Sequence, residues 1–295
     1  MIVKAKPGLR EVLFTLHGSI VPRIIGRLLV LAGLSVAAVL LARVKPSAFA
    51  HLAATPFTVM GLALSIFISF RNNACYERWW EGRKLWGQLL VTARAIARQL
   101  GGLPVEARAP VLLGVAAFTQ SLAARLRDQD EVTPLAAWRS DVDWRAAPNP
   151  TDLALAQIAR AAEGLAGLDT VGHALLQTRL HELGTVQAGC ERIKGTPLPF
   201  AYWLLLHRTA LAFCMLLPFA LASSLGWWTP LLTIIVGYTF FGLDALGDEL
   251  EDPFGSDLND LPLDALSRTV EREMLFAAGR EVLPPALAPQ RDVLT

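Results

Sequence analysis

Acidic side chains are concentrated in one short stretch of this 295-residue chain. Eight carboxylates lie between positions 244 and 264, and no lysine or arginine follows until Arg268. Carboxylate oxygens held on turns are the ligands that hard cations such as calcium prefer. The order of these acids differs from the Asp-x-Asp-x-Asp-Gly pattern of an EF-hand loop. The stretch is therefore a candidate cation site, and a solvated acidic loop is the plainer interpretation.

The other residue types that carry chemistry are scattered along the chain. The five histidines form no H-E-x-x-H motif, no nucleophile elbow is present, and the three cysteines have no Cys-x-x-Cys spacing. A net charge of +1 provides no general attraction to nucleic acid. We therefore expect neither an enzyme nor a nucleic-acid-binding protein, and no required cofactor.

Charge is missing from long continuous stretches. Only 18% of the residues are charged, against roughly 25% in ordinary soluble domains. Residues 52–70 and 209–243 contain no charged side chain, and residues 28–42 form a third such stretch. A membrane-spanning helix needs about 20 mostly apolar residues, whereas 35 uncharged residues are difficult to bury in so small a soluble protein.

The longest uncharged stretch is interrupted by helix breakers. Gly226 and Pro230 flank a pair of tryptophans that suits the membrane interface. The sequence therefore predicts four membrane spans, at about 24–44, 52–71, 205–224 and 229–246.

Basic residues predict how these spans are oriented. Lys4, Lys6 and Arg10 precede the first span, and Arg71 and Arg78 follow the second. Because cytoplasmic loops carry an excess of lysine and arginine, we expect a multi-pass protein with both termini in the cytoplasm.

The segment between the second and third spans is helical in pattern. Leu85, Leu89 and Ile96 recur at helical spacing, so the second span should continue as a helix beyond the membrane. Pro104 and Pro110 are expected to interrupt it. Two further helices are predicted, at about 151–166 and 169–194. No segment shows convincing strand alternation, so the sequence predicts an all-α membrane protein.

Several motifs together resemble the bacterial branch of the bestrophin family. They occur in the family's order and cover nearly the whole chain: His17-Gly-Ser-Ile20, the stretch from Phe70 through Tyr-Glu-Arg-Trp-Trp to Gly87, the stretch from Gly189 to Tyr202, and the acidic Glu249–Gly255 with Asn259–Leu263.

The resemblance implies an ion channel of the bacterial inner membrane. Five copies of the chain would surround one central pore lined by the second spans, with a cytoplasmic helical bundle attached. Leu62, Ile66 and Phe70 are spaced by four and so share a helix face. By resemblance they form the hydrophobic neck of the pore. The resemblance, aligned by counting back from Cys190, also implies a lower aperture at Val171, with Leu175 or its neighbours as alternatives.

The resemblance also divides the chain and gives the acidic stretch a role. Four segments follow from it: 1–71 with the first two spans, 72–202 as the cytoplasmic helical region, 203–247 with the last two spans, and 248–295 as acidic loop and tail. Animal members bind calcium at the acidic stretch, and the matching side chains are Glu249, Asp252, Asp257 and Asp260. Acids at 249 and 252 depart from the neutral amides of the animal pattern, so calcium is a candidate ligand rather than a requirement.

Two questions stay open at this point. By resemblance, bacterial members favour small monovalent cations and animal members pass chloride, so the bacterial branch favours sodium or potassium here. The acidic stretch would add to this preference if it faces the ion pathway, by raising the local cation concentration. A chloride channel, with or without regulation by calcium, is the alternative. A secondary transporter is the rival class. However, none of the four spans has a charged residue at its centre, and no inverted repeat is visible.

Overall fold

The computed structural model describes residues 1–3, 8, 15–49 and 55–295. Within them, regular structure is helical apart from isolated β-bridges that Val293 forms with Ile2 and Gln290. The helices in chain order are α1 (Val21–Val44), α2 (Pro46–Phe49), α3 (Thr55–Gln99), α4 (Val105–Leu126), α5 (Val132–Trp138), α6 (Pro150–Glu163), α7 (Thr170–Gly195), α8 (Phe200–Leu225), α9 (Thr229–Glu251) and α10 (Leu263–Ala277).

These helices form two compact units. One comprises 5–78 and 197–251, and we call it the membrane-type unit because it holds the predicted spans. The other, which we call the bundle unit, comprises 1–4, 79–196 and 252–295. Helix α3 continues from one unit into the other, as its apolar periodicity predicts. The predicted four-segment division of the chain follows membrane topology and stays a prediction.

The membrane-type unit is built on close contact between α1, α8 and α9. Ile24, Leu31 and Phe241 are fully or almost fully buried in its core. A Cβ added at Gly237 would clash with Leu31 Cδ2, so the small residue allows α9 to approach α1 closely. Helices α8 and α9 are separated by a 3₁₀ turn at Gly226–Trp228, where Gly226 adopts a positive φ of 52°. The predicted helix break inside the longest uncharged stretch is thereby confirmed.

The bundle unit has its own apolar core. The second half of α3 contributes Trp86, Leu89 and Ile96, and these pack with buried residues of α4, α6, α7 and α10. The predicted interruption at Pro110 is wrong. Pro104 caps the start of α4, whereas Pro110 lies in the second turn of that helix, where a proline removes only one hydrogen bond near the end.

Three helical stretches of the described residues are long and apolar enough to cross a membrane: Val21–Val44, Val105–Leu126 and Phe200–Glu251. The first coincides with a predicted span, and the third contains two predicted spans separated by the 3₁₀ turn. Val105–Leu126 was not predicted to span, and 67% of its most apolar window is buried within the protein. Part of the predicted second span (52–54), and Lys4, Lys6 and Arg10, lie outside the described residues.

Candidate functional site

Helix α3 presents two different faces in the membrane-type unit. Leu64 and Ile68 are buried against neighbouring helices. Leu62, Ile66 and Phe70 are 65%, 47% and 66% exposed. Residues two positions apart on a helix point about 200° apart, so this apolar stripe lies opposite the buried face. The structure thus brings the three residues predicted for the neck together on one uncovered surface, while their role in a pore stays a prediction.

A buried charge cluster lies directly after this stripe. The Arg71 side chain has 0% of its surface exposed. Its Nη1 donates to Asp244 Oδ1 at 3.0 Å and to the Asp244 carbonyl at 3.2 Å. Its Nη2 forms an ion pair with Asp248 and lies 3.8 Å from Glu251 Oε2. Because a buried charge is costly unless it is paired, these carboxylates are what allow an arginine at this position.

Side chains from two more helices complete the cluster. His207 on α8 places Nε2 at 3.0 Å from Asp244 Oδ2 and 3.5 Å from Asp248 Oδ2. The His207 ring stacks on Trp203 with 4.1 Å between centroids, and Trp203 Nε1 donates to Asp248 Oδ1 at 3.0 Å. Arg27 on α1 approaches Asp244 Oδ2 at 3.4 Å. We call Arg27, Arg71, His207, Asp244 and Asp248 the inner charge cluster.

The inner charge cluster was not predicted from the sequence. His207, Asp244 and Asp248 have ligand atoms close enough together to hold a metal ion, and they form the one such group found among the described residues. Arg27 and Arg71 already supply positive charge there, which opposes a second cation. One signal did exist: Arg71 and Asp244 each end a charge-free stretch and carry opposite charges.

The four calcium candidates are held by different partners. Glu249 on α9 pairs with Arg23 at 3.1 Å. Asp252 is half-exposed and pairs with Lys194 at 3.1 Å. Asp260 is buried, and its Oδ2 accepts the Asp257 backbone N–H at 2.7 Å.

Three of these acids share one turn. A Cβ added at Gly255 would lie 2.6 Å from Asp260 Oδ2 and 3.9 Å from Asp252 Oδ2, so both carboxylates approach the Gly255 backbone. Asp257 lies on the same turn. Glu249 belongs to the membrane-type unit, and its side chain points to Arg23.

Most of the acidic stretch is neutralised by basic side chains of the same chain. Within the described residues, at least six of its eight carboxylates form ion pairs with arginine or lysine: Asp244, Asp248, Glu249, Glu251, Asp252 and Asp264. Burial by itself lowers the pKa of Lys194, but ion pairs with Asp252 and Asp128 outweigh it and leave that pKa raised. The stretch therefore carries much less uncompensated charge than its composition suggests.

The predicted lower aperture lies at the start of α7. Asp169 caps this helix by accepting the Gly172 N–H at 2.7 Å. Val171 is 64% exposed, and Leu175 is half-exposed one turn later on the same face. Leu176 is buried, so the apolar pair lies away from the bundle core. Val171 and Leu175 therefore each present an exposed apolar side chain, while their role in an aperture stays a prediction.

Long apolar helices with buried ion pairs between them define the class of this chain as a helical membrane protein. Comparison with known proteins identifies the family. The family model described as Bacterial/Fungal Bestrophin protein matches residues 1–275. The chain belongs to the bestrophin family and is a membrane channel-forming protein, not an enzyme.

Individual relatives agree with this assignment. A voltage-dependent anion channel-forming protein of Mesorhizobium japonicum is 43% identical over 98% of this chain and 95% of its own length. The voltage-dependent anion channel-forming protein YneE of Escherichia coli K12 is 36% identical over 99% and 98%. The crystal structure of a bestrophin homologue from Klebsiella pneumoniae superposes with a TM-score of 0.82 at 37% identity, covering 88% of this chain and all of that one.

Proposed function

We propose that this protein forms a homopentameric channel in the bacterial inner membrane, with α3 of each subunit lining one axial pore. The observation that carries the proposal is the stripe of Leu62, Ile66 and Phe70. It is apolar, exposed in the single chain and opposite the face with which α3 packs on its own unit. Five copies arranged around an axis would turn three such side chains per helix into three apolar rings.

Apolar rings of this kind act as a gate by excluding water. A narrow hydrophobic tube empties of water, and small helix movements decide whether ions pass. The rings carry no charge and do not choose between anions and cations. Selectivity must therefore depend on charged groups elsewhere along the pathway or on pore dimensions.

We propose anions as the preferred permeant ions, chloride first among them. Relatives up to 43% identical bear the name voltage-dependent anion channel-forming protein. The cation preference expected from the bacterial branch has less support from these relatives, and the acidic stretch adds little to it, because at least six of its eight carboxylates are engaged in ion pairs. Only uncompensated carboxylates would enrich sodium or potassium near the pore.

The topology proposed with this function has four spans and both termini in the cytoplasm. Helices α1, α8 and α9 supply three spans, and the first half of α3 supplies the fourth. Exposed Trp227 and Trp228, in the turn between α8 and α9, suit the opposite membrane interface. Val171 is proposed as a second constriction, with Leu175 as the alternative one turn away.

Calcium binding is proposed only for the turn that carries Asp252, Asp257 and Asp260. Carboxylates brought close to the Gly255 backbone are suitable oxygen ligands for a hard cation. Calorimetric titration of the purified protein with CaCl₂ tests this, and the matched variant is Asp257→Asn. A binding heat that saturates in the wild type and disappears in the variant supports a calcium site on this turn. The absence of binding heat in the wild type would refute the proposed site.

Reversal potentials in planar bilayers test ion selectivity. With a tenfold NaCl gradient, a perfectly selective channel reverses at about 59 mV, and the sign tells whether chloride or sodium carries the current. We expect the chloride sign, and a large shift when chloride is replaced by gluconate. Reversal near the sodium potential, unchanged by gluconate, would establish a cation channel and refute the anion proposal.

Alanine substitutions test the neck. Ile66→Ala and Phe70→Ala should raise single-channel conductance, because they shorten apolar side chains at the narrowest part. Leu29→Ala is the matched control: it removes an exposed side chain of the same size as Ile66 from α1, which carries none of the proposed neck residues. Equal conductance in all variants would remove the neck assignment. Native mass spectrometry of the same preparations tests for five copies.

A further inference from the structure

Arg71 occupies an unusual position for a charged residue. Arg71 directly follows Phe70, the last residue of the proposed neck. The side chain of Arg71 is fully buried. Consecutive helix residues point about 100° apart, so Phe70 and Arg71 project from the same turn of α3 in different directions. Whatever fixes the direction of Arg71 also fixes the direction of Phe70.

The guanidinium of Arg71 is held at several points. Asp244 receives it through both a carboxylate oxygen and the backbone carbonyl, and Asp248 forms a second ion pair one turn further along α9. A planar guanidinium offers donors in a rigid fork, so two acceptors on one helix restrict both rotation and sliding of the arginine.

The same carboxylates are also bound from elsewhere. Asp244 is reached by Arg27 from α1 and by His207 from α8. Residues of α1, α3, α8 and α9 therefore meet in the inner charge cluster. Leaving a buried charge without its partner is strongly unfavourable, so these helices cannot rotate or slide past one another without a large cost in free energy.

We infer that Arg71 is a positioning residue of the gate: its ion pairs with Asp244 and Asp248 set the rotation of α3 and thereby the direction in which Phe70 projects. This inference rests on the proposed neck. It assigns a functional role to a residue that does not itself line the apolar stripe, and it makes α9 a determinant of neck geometry.

Single-channel recording in planar bilayers tests the inference. Arg71→Gln removes the charge of the arginine, and Asp248→Asn removes the negative charge of one of its partners at a partly exposed position, with little change in side-chain size. Both variants should convert one uniform conductance level into several sublevels, with open-channel current variance rising severalfold. Arg71→Lys keeps the charge but not the fork, so we expect an intermediate variance.

Arg125→Gln is the matched control. Arg125 bridges Glu131 at 2.7 Å and Glu191 at 2.9 Å in the bundle unit, so its loss also removes two ion pairs. The control should keep a single conductance level. If Arg71→Gln does not assemble, Asp248→Asn carries the test by itself.

The outcomes separate this inference from the proposed function. Uniform wild-type amplitudes in assembled Arg71→Gln or Asp248→Asn channels overturn it, as do sublevels of equal size in Arg125→Gln. If Phe70→Ala leaves conductance unchanged, the neck itself fails. A changed conductance in Phe70→Ala with unchanged Asp248→Asn channels refutes only the positioning role.

Discussion

Replacing Gly61 by alanine should push α3 toward the proposed pore axis. Gly61 lies on the buried face of α3, where a Cβ would come 3.0 Å from Cζ and 3.4 Å from Cε2 of Phe213 on α8. Phe213 is buried and packs edge-on against Phe240 with 5.2 Å between centroids. The ring therefore has little room to move away, and α3 is the element that has to shift.

The size of that shift follows from the contact distance. Ordinary carbon contacts begin near 3.4 Å, so the closest contact must lengthen by about 0.4 Å. Gly61 and Phe70 are nine residues apart, or about 2.5 turns, which places them on opposite sides of the helix. In a fivefold-symmetric pore, moving every α3 by about 0.4 Å toward the axis reduces the radius of the neck by about 0.4 Å and its diameter by about 0.8 Å.

The variant should still fold. Alanine is preferred over glycine inside a helix by roughly 0.5–1 kcal/mol, whereas overpacking a core costs about 1–3 kcal/mol. The free energy of unfolding then falls by at most about 2.5 kcal/mol. Because apolar constrictions lose water steeply as they narrow, we expect single-channel conductance to fall at least about twofold.

Conductance of purified channels in planar bilayers provides the measurement. Gly33→Ala in α1 is the control, because a Cβ there meets no atom within 4 Å. Shortening the ring in the double variant Gly61→Ala/Phe213→Leu should restore conductance. The reasoning is refuted if assembled Gly61→Ala channels conduct as well as the wild type, or if the double variant stays impaired.

Three further predictions concern the bundle unit. Burial raises the pKa of the Cys190 thiol to about 12 from 9.0, so maleimide at pH 8 should label Cys190 only after the protein is unfolded in SDS. The folded state holds the thiol proton more tightly than the unfolded state. The melting temperature should therefore fall as the pH rises from 9 to 12, and it should fall less in Cys190→Ala. Rapid labelling of folded protein would contradict the burial. A Cβ at Gly114 would lie 2.6 Å from Trp138 Cζ2 and 2.7 Å from Ile158 Cγ1, whereas one at Gly184 meets only Leu155 at 3.5 Å. Gly114→Ala should therefore lower the free energy of unfolding by about 1–2 kcal/mol, and Gly184→Ala should raise it by roughly 0.5–1 kcal/mol. A higher melting temperature for Gly114→Ala than for Gly184→Ala would contradict this packing. Finally, Val171→Ser should change the relative permeability of chloride and bromide if α7 forms a constriction, and Leu175→Ser takes over the test if Val171→Ser has no effect.

Helices and their breaks were largely predictable because they depend on local composition. The uncharged stretch 209–243 with Gly226 inside it indicated two helices and a turn, and the structure has α8, the 3₁₀ turn and α9. The apolar spacing after Arg71 likewise predicted the continuation of α3. Helix α10 was missed, because its residues follow the acidic stretch and were included in a tail.

The candidate site was predictable only in part. The four-residue spacing of Leu62, Ile66 and Phe70 is enough to place them on one face, since helix geometry is regular. Which face of α3 would stay uncovered could not follow from spacing, because that depends on which neighbours pack against Leu64 and Ile68. Composition was enough to recognise the acidic stretch. The basic side chains that neutralise it could not be recognised from composition.

By itself, the sequence determined where apolar helices form and which residues share a helix face, because both follow from neighbouring positions along the chain. Only the tertiary structure decided how buried charges are paired. Arg71 and Asp244 are 173 positions apart, and their contact exists because α3 and α9 pack side by side. An ion pair depends on distances of a few ångströms between side chains, and such distances arise only when the helices are assembled.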